Sequence, residues 1–219
     1  MELIDLTHTI TPNMPVFPGD PHPALTHSED GGWRHTRLEL DSHCGTHVEG
    51  ARHRDGAAKS LELAPLARFF GLAVMLDVSA CAGQEISREA LAAHEEELKC
   101  CEFLVLKSGW DRKWGKDEYL AGYPVLSPAA AQYLAGFEFL QGIGVDTVSV
   151  DKADSADCPV HQALLSADKI IVENLCNLDS VQGRNFLLTC LPLKYSEADA
   201  SPVRAAAFLA PAGIYYPGV

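Results

Sequence analysis

Residues 41–53 are the most informative stretch of this chain, because they place several metal-ligating side chains close together around a glycine. The stretch reads Asp41-Ser42-His43-Cys44-Gly45-Thr46-His47-Val48-Glu49-Gly50-Ala51-Arg52-His53. Three of the nine histidines of the chain fall here, and a carboxylate lies between the second and the third. Imidazole and carboxylate together suit zinc, manganese or iron. The stretch therefore predicts a site for a divalent metal.

The backbone conformation of this stretch decides whether its side chains can meet. The four candidate ligands all have odd numbers and would share one face of an extended strand: His43, His47, Glu49 and His53. A straight strand would hold the Cα atoms of His43 and His47 about 13 Å apart, too far for both imidazoles to reach one ion. Gly45 lies between them and permits a bend, whereas Gly45 and Gly50 together disfavour a helix. We expect a bent strand or loop.

A second pair of candidate ligands lies downstream. His161 precedes Glu173 by twelve residues, and Glu173 ends the apolar run of residues 170–172. A charged group at the end of a buried strand needs a partner or an ion. The alternatives are a buried ion pair or a surface acid for Glu173, and surface or hydrogen-bonded roles for the histidines.

The rest of the chain alternates between short apolar runs and a few helical segments, which indicates a mixed α/β fold. A serine cap at Ser127 followed by proline predicts a helix from Pro128 to about Ala135, and Ser87 predicts another over 88–98. Helices are too few for a regular barrel of eight βα units. The predicted strands cover residues 37–42, 71–77, 103–106, 142–150, 169–172, 186–188 and 205–209.

Composition narrows the function classes. The 219 residues carry 17 Lys and Arg against 30 Asp and Glu, a formal net charge of −13, which disfavours a nucleic-acid partner. No run of 18 apolar residues predicts a membrane span, and the first residues lack the pattern of a secretory signal. Seven cysteines without a Cys-x-x-Cys pair indicate reduced thiols. We expect one domain over 1–219, located in the cytoplasm.

The histidine-rich stretch resembles the signature H-x-G-T-H-x-D-x-P-x-H of the cyclase family of metal-dependent hydrolases, which includes bacterial kynurenine formamidase and isatin hydrolase. Glu49 stands in place of the usual Asp, and Gly50-Ala51 lacks the stiffening proline of the family. The resemblance continues in order through residues 4–7, 14–21, 107–111, 144–151, His161, 173–175, 191–194 and 201–205.

The resemblance implies a mixed-sheet swivelling β/β/α fold, a homodimer or larger homo-oligomer, and one or two divalent ions, zinc or manganese. It implies that His43, His47 and Glu49 bind one ion and that His53 is the acid/base. It assigns the second ion to Glu49, His161 and Glu173.

The implied reaction is hydrolysis of a carbon–nitrogen bond in a small amide or lactam by metal-activated water. The alternatives are an isatin hydrolase-like or ring-forming activity, and a catalytically weakened homologue that only binds metal or ligand. Three aromatic residues are candidates either to stack on a substrate or to pack in the core: Phe17, Trp33 and Trp110. Phe17 is the one we assign to the substrate. Cys44 is expected to be a packing residue rather than a nucleophile.

Overall fold

The computed structural model describes residues 2–209, in which thirteen strands and four helices alternate along the chain. The strands are β1 Glu2–Asp5, β2 Ala24–Asp30, β3 Trp33–Glu39, β4 His47–Glu49, β5 Phe70–Asp77, β6 Glu85–Ile86, β7 Phe103–Lys107, β8 Val125–Leu126, β9 Gly142–Val145, β10 Ile170–Glu173, β11 Phe186–Thr189, β12 Ala200–Pro202 and β13 Ala206–Leu209. The helices are α1 Arg88–Ala92, α2 Glu95–Cys100, α3 Pro128–Ala135 and α4 Pro159–Ser166.

Nine strands form one mixed sheet in the order β1-β13-β11-β5-β7-β9-β10-β4-β12. The central strands β5, β7, β9 and β10 run parallel to one another, and the outer pairs are antiparallel. Such buried parallel strands need apolar residues on both faces. In β7, Phe103 and Val105 enter one apolar layer, whereas Leu104 and Leu106 enter the layer beneath the helices. The predicted fold class, a mixed-sheet α/β fold, is confirmed.

The capping signals in the sequence locate the helices correctly, with one difference. Ser127 accepts a hydrogen bond from the backbone N–H of Ala130, and α3 begins at Pro128 as predicted. Ser87 likewise caps α1. The single helix predicted over 88–98 is divided into α1 and α2 at residues 93–94, so this prediction was wrong in its continuity.

Three other local features differ from the prediction. The strand predicted over 142–150 ends at Val145, because the carboxylate of Asp146 accepts backbone hydrogen bonds from Ser108 and Gly109 and turns the chain. The strand predicted at 37–42 lies earlier, in the long β2–β3 hairpin. Helix α4 was not predicted. It follows Cys158, which adopts a left-handed conformation at φ 42°.

The position of β4 between β10 and β12 creates the functional site. In these antiparallel pairs His47 lies opposite Glu173, and Glu49 lies opposite Ala200. Segments that are more than a hundred residues apart in the chain therefore meet around one three-residue strand. Among residues 2–209 no helix is both long and apolar enough to cross a membrane.

Candidate metal centre

The histidine-rich stretch bends at Gly45, as predicted. Gly45 adopts a left-handed conformation at φ +67°, which costs a glycine little. Its carbonyl oxygen accepts hydrogen bonds from His47 Nδ1 and Asn174 Nδ2, both at 2.9 Å. After the bend, β4 points His47 and Glu49 to the same side, because side chains two residues apart share a strand face. His53 follows in a short 3-10 turn over Ala51–His53.

Glu49 lies at the centre of the cluster, with its side chain only 1% exposed. Its Oε2 atom is 3.3 Å from His43 Nδ1 and 3.7 Å from His53 Nε2. Its Oε1 atom is 2.9 Å from His161 Nε2. Two sets of three side chains that include Glu49 hold candidate ligand atoms within 4.8 Å of one another: His43 with Glu49 and His53, and Glu49 with His161 and Glu173. The two carboxylate oxygens of Glu49 thus face two neighbouring groups.

His47 lies beside this pair of groups rather than within either set. Its Nε2 atom is 3.5 Å from Glu173 Oε2, and its ring is 5.1 Å from that of His43 between centroids. Because Nδ1 donates its proton to the Gly45 carbonyl, Nε2 carries the lone pair that a metal requires. Burial lowers the pKa of His47, which favours this neutral form. The structure therefore brings all five predicted metal ligands together, with His53 next to them.

Two carboxylates that the sequence analysis did not identify contact the ring nitrogens of His161 and His43 that face away from Glu49. Asp151 accepts hydrogen bonds from His161 Nδ1 at 2.7 Å and from the backbone N–H groups of Val160 and His161. Asp199 lies 3.1 Å from His43 Nε2. Metal-binding histidines usually donate their second ring N–H to a carboxylate or carbonyl in this way. The only signal in the sequence was that both acids lie within or next to segments that resemble the cyclase family.

The electrostatics of the cluster fit a cation. Burial alone would lower the pKa of His43, but contacts with Asp199 and Glu49 raise it to about 10. Burial would likewise lower the pKa of His161, yet Glu49 and Asp151 hold it well above its usual range. Burial would raise the pKa of Glu49, but His161 and His43 hold it well below its ordinary value. The cluster thus stabilises positive charge around an ionised, buried carboxylate.

Two atoms of the cluster have unsatisfied hydrogen-bonding capacity. Within residues 2–209, His47 Nε2 and Glu49 Oε1 are buried and form no hydrogen bond. Glu49 Oε1 does lie 2.9 Å from His161 Nε2, but that contact lacks the angles of a hydrogen bond. Buried polar atoms rarely remain unpaired, and both atoms are ligands that zinc or manganese accepts. The residues present therefore fit a divalent metal.

The cluster opens into a cavity of about 560 Å³, large enough for a small organic molecule. Phe17 lines this cavity and packs against a cluster in which Trp110 is buried with Tyr119 and Tyr123. Trp33 is 74% exposed on the β2–β3 hairpin, so core packing was the wrong alternative for this residue. Cys44 is buried, and burial raises its pKa to about 11, so its thiol remains protonated and packs as predicted.

The chain is similar to several known proteins in sequence and in fold. Residues 4–152 match the family model described as putative cyclase. The chain is 31% identical to a kynurenine formamidase of Salinibacter ruber, over 94% of this chain and 96% of that one. Isatin hydrolase A from Labrenzia aggregata, solved with benzyl benzoate, superposes with a TM-score of 0.84 at 26% identity, covering 94% of this chain and 93% of that one.

A third protein, described as a potential metal-dependent hydrolase with cyclase activity, superposes with a TM-score of 0.79 at 25% identity. The match covers 94% of this chain and 98% of that one.

Proposed function

The chain belongs to the cyclase family, and on that premise we propose that it is a metal-dependent hydrolase that cleaves a carbon–nitrogen bond in a small amide or lactam. The observation that carries the proposal is the position of Glu49, whose two oxygens face His43 and His53 on one side and His161 on the other. A buried carboxylate in this position would be available as a ligand in both groups.

We assign the ligands as follows. By the family resemblance, and because His47 lies beside His43 and Glu173, we propose that His43, His47 and Glu49 would hold one divalent ion. Glu49, His161 and Glu173 would hold the other. Zinc and manganese both suit this set of nitrogen and oxygen donors. The longer side chain of Glu49, compared with the family's Asp, still reaches both groups.

When bound, a divalent cation lowers the pKa of water from about 15.7 to about 7 and polarises the carbonyl that is attacked. His53 is the proposed acid/base, since its Nε2 atom faces Glu49 and its side chain is 39% exposed to the cavity. It takes a proton from the attacking water as the oxygen–carbon bond forms. It then gives a proton to the leaving nitrogen as the carbon–nitrogen bond breaks, which yields a carboxylic acid and an amine.

Phe17 supplies the aromatic wall of the cavity and is the proposed substrate contact. Together with the kynurenine formamidase and isatin hydrolase relatives, this favours an aryl formamide such as N-formylkynurenine, with the isatin lactam ring as the alternative. Ring closure would use the same acyl chemistry in reverse, and product analysis would distinguish it from hydrolysis.

The proposal is tested by assaying zinc- and manganese-loaded protein with N-formylkynurenine, isatin and simple formamides. We expect His53→Ala to retain its metal and to lose about 10²–10⁴-fold in kcat, because the proton transfers lose their carrier. His47→Ala should lose both metal and activity. His94→Ala should lose neither, because His94 is an exposed histidine that precedes α2 and pairs with Glu97. Turnover by His53→Ala at the wild-type rate would remove His53 from its role. Bound metal without turnover on this panel would indicate a protein that only binds metal or ligand.

We further propose a homodimer in the cytoplasm. Nearly every residue of the β2–β3 hairpin is exposed, and an isolated two-stranded hairpin is marginally stable in water. A second copy of the chain would supply the missing packing. The seven cysteines are free thiols, as a reducing compartment would keep them.

A further inference from the structure

Two imidazoles of the cluster lie side by side between the same two carboxylate oxygens. Inside, His43 Nδ1 and His53 Nε2 face Glu49 Oε2 at 3.3 and 3.7 Å. Outside, His43 Nε2 and His53 Nδ1 face Asp199 Oδ2 at 3.1 and 3.5 Å. The two ring centroids are only 4.2 Å apart. Each ring therefore directs one nitrogen toward Glu49 and the other toward Asp199.

The backbone holds Asp199 in this position. Its carbonyl oxygen accepts a hydrogen bond from the Gly50 N–H at 3.0 Å, and the next residue, Ala200, lies opposite Glu49 in the β12–β4 pair. The carboxylate is thus anchored to the strand that carries Glu49, at the edge of the cavity. Its side chain is 35% exposed, so the position has room for substitution.

We propose that Asp199 is a positioning residue that sets the orientation and the tautomer of both His43 and His53. A proton on His43 Nε2 directed at Asp199 leaves the Nδ1 lone pair for the metal. A proton on His53 Nδ1 directed at the same oxygen leaves Nε2 to accept a proton from water. One carboxylate would thereby prepare a ligand and the acid/base together. The inference rests on the proposed function, because it uses the roles assigned there.

The expected loss of metal affinity on removing the Asp199 carboxylate follows from comparable metal sites. Removing the outer carboxylate of a metal-bound histidine typically lowers metal affinity or activity by about 10–100-fold. Asp199→Asn keeps the shape of the side chain but replaces an acceptor with an amide that can also donate. We therefore expect Asp199→Asn to bind zinc about 10–100-fold more weakly. At saturating zinc we expect kcat to fall by a similar factor with little change in KM, because Asp199 acts through His53 and not on the substrate.

The decisive measurement is NMR spectroscopy of the zinc-loaded protein labelled with ¹⁵N at histidine, together with a zinc-binding titration. In the wild type we expect two hydrogen-bonded ring N–H signals that exchange slowly with water, one from His43 Nε2 and one from His53 Nδ1. Both should be lost or shifted in Asp199→Asn. Asp157→Asn changes another carboxyl group on the cavity wall and should leave the signals and the zinc affinity unchanged.

Wild-type zinc affinity and both N–H signals in Asp199→Asn would overturn the inference. If Asp199→Asn does not fold, Asp199→Glu keeps the charge but displaces the oxygen, and unaltered signals in that variant would overturn it equally. These readouts do not require turnover. A protein that binds zinc, shows the expected signals and hydrolyses nothing would contradict the proposed function while leaving the role of Asp199 intact.

Discussion

At the scale of single residues, Glu49 is the buried carboxylate at the centre of the metal cluster. It faces three imidazoles from a side chain that is almost fully buried. Glu49 is one methylene longer than the Asp of the family signature, and its two oxygens face imidazoles from the segment before β4, from the 3-10 turn after it and from helix α4. We therefore expect the length of this side chain to affect how strongly the two groups bind a metal.

Glu49→Asp tests this directly. Shortening the side chain by one carbon–carbon bond, about 1.5 Å, should withdraw the carboxylate from one of the two groups. We expect one of the two ions to bind at least about tenfold more weakly, a loss of about 1.4 kcal/mol, as measured by metal titration and elemental analysis. Glu49→Gln keeps the length but removes the charge and should weaken both ions. Two ions bound at undiminished affinity in Glu49→Asp would contradict the bridging role.

His8 gives a prediction for stability against pH. Its ring stacks on Trp114 with the ring centroids 3.8 Å apart, and burial lowers its pKa to about 4, against the opposing effect of Asp111. Between about pH 4 and pH 6.5 the unfolded chain therefore binds more protons than the folded one, so His8 makes stability fall as the pH falls through this range.

His8→Phe keeps a stacked ring but cannot take up a proton. We expect the free energy of unfolding, measured with urea at pH 7 and pH 5, to decrease less in His8→Phe than in the wild type. An equal decrease in the two proteins would show that His8 does not contribute to the acid sensitivity.

At the scale of elements, the tight parallel pairing of β9 with β10 positions Glu173 in the cluster. Gly142 lies opposite Ile170 in this pair, and a Cβ atom there would come within 2.5 Å of the Ile170 carbonyl oxygen. A backbone atom cannot move aside without separating the strands. The glycine is thus required for packing rather than for its conformational freedom.

Gly142→Ala should lower the free energy of unfolding by about 1–3 kcal/mol, because the strands must separate. It should also weaken metal binding, since β10 carries Glu173. Gly136→Ala is the matched control, because the nearest atom to its Cβ would be 3.4 Å away and its backbone is helical. We expect that control to change stability by less than about 1 kcal/mol in urea denaturation. Equal stabilities for the two variants would refute the packing argument.

At the scale of the whole molecule, the β2–β3 hairpin is largely exposed within the part of the chain that the structure describes. Trp33 near its turn and Leu38 on β3 are 74% and 57% exposed. Both ends of the hairpin connect to segments that line the cavity, residues 15–20 and 41–43. A dimer interface formed by the hairpin would therefore lie close to the metal cluster.

The proposed dimer predicts that Trp33→Arg weakens self-association, because burying the arginine charge in the interface is unfavourable without an opposite charge beside it. We expect light scattering with size-exclusion chromatography to show a dimer for the wild type and a concentration-dependent shift to monomer for Trp33→Arg. Phe139→Arg, at a residue of similar exposure in another part of the surface, should remain dimeric. A monomeric wild type would refute the dimer.

Part of the fold could be predicted from the sequence, and part of it could not. Local patterns predict the capped helix α3 and six of the nine strands of the large sheet, because their caps and apolar runs lie within a few residues. Helix α4 and the hairpin were missed, since Cys158 is an unusual cap and the hairpin has no buried face to produce a pattern. The division of the helix over 88–98 also depends on how α1 and α2 pack.

The sequence by itself determined the family, the mixed α/β class and the histidine-rich stretch with its bend at Gly45, because these depend on residues that are close along the chain. Only the tertiary structure decided that Asp151 and Asp199 contact the outer ring nitrogens of His161 and His43. It also decided that Glu49 faces His43 with one oxygen and His161 with the other. Asp199 contacts His43 over a sequence separation of 156 residues because β12 pairs with β4 in one register. Strand register is a property of the assembled sheet, since a shift by one residue would turn every side chain to the opposite face.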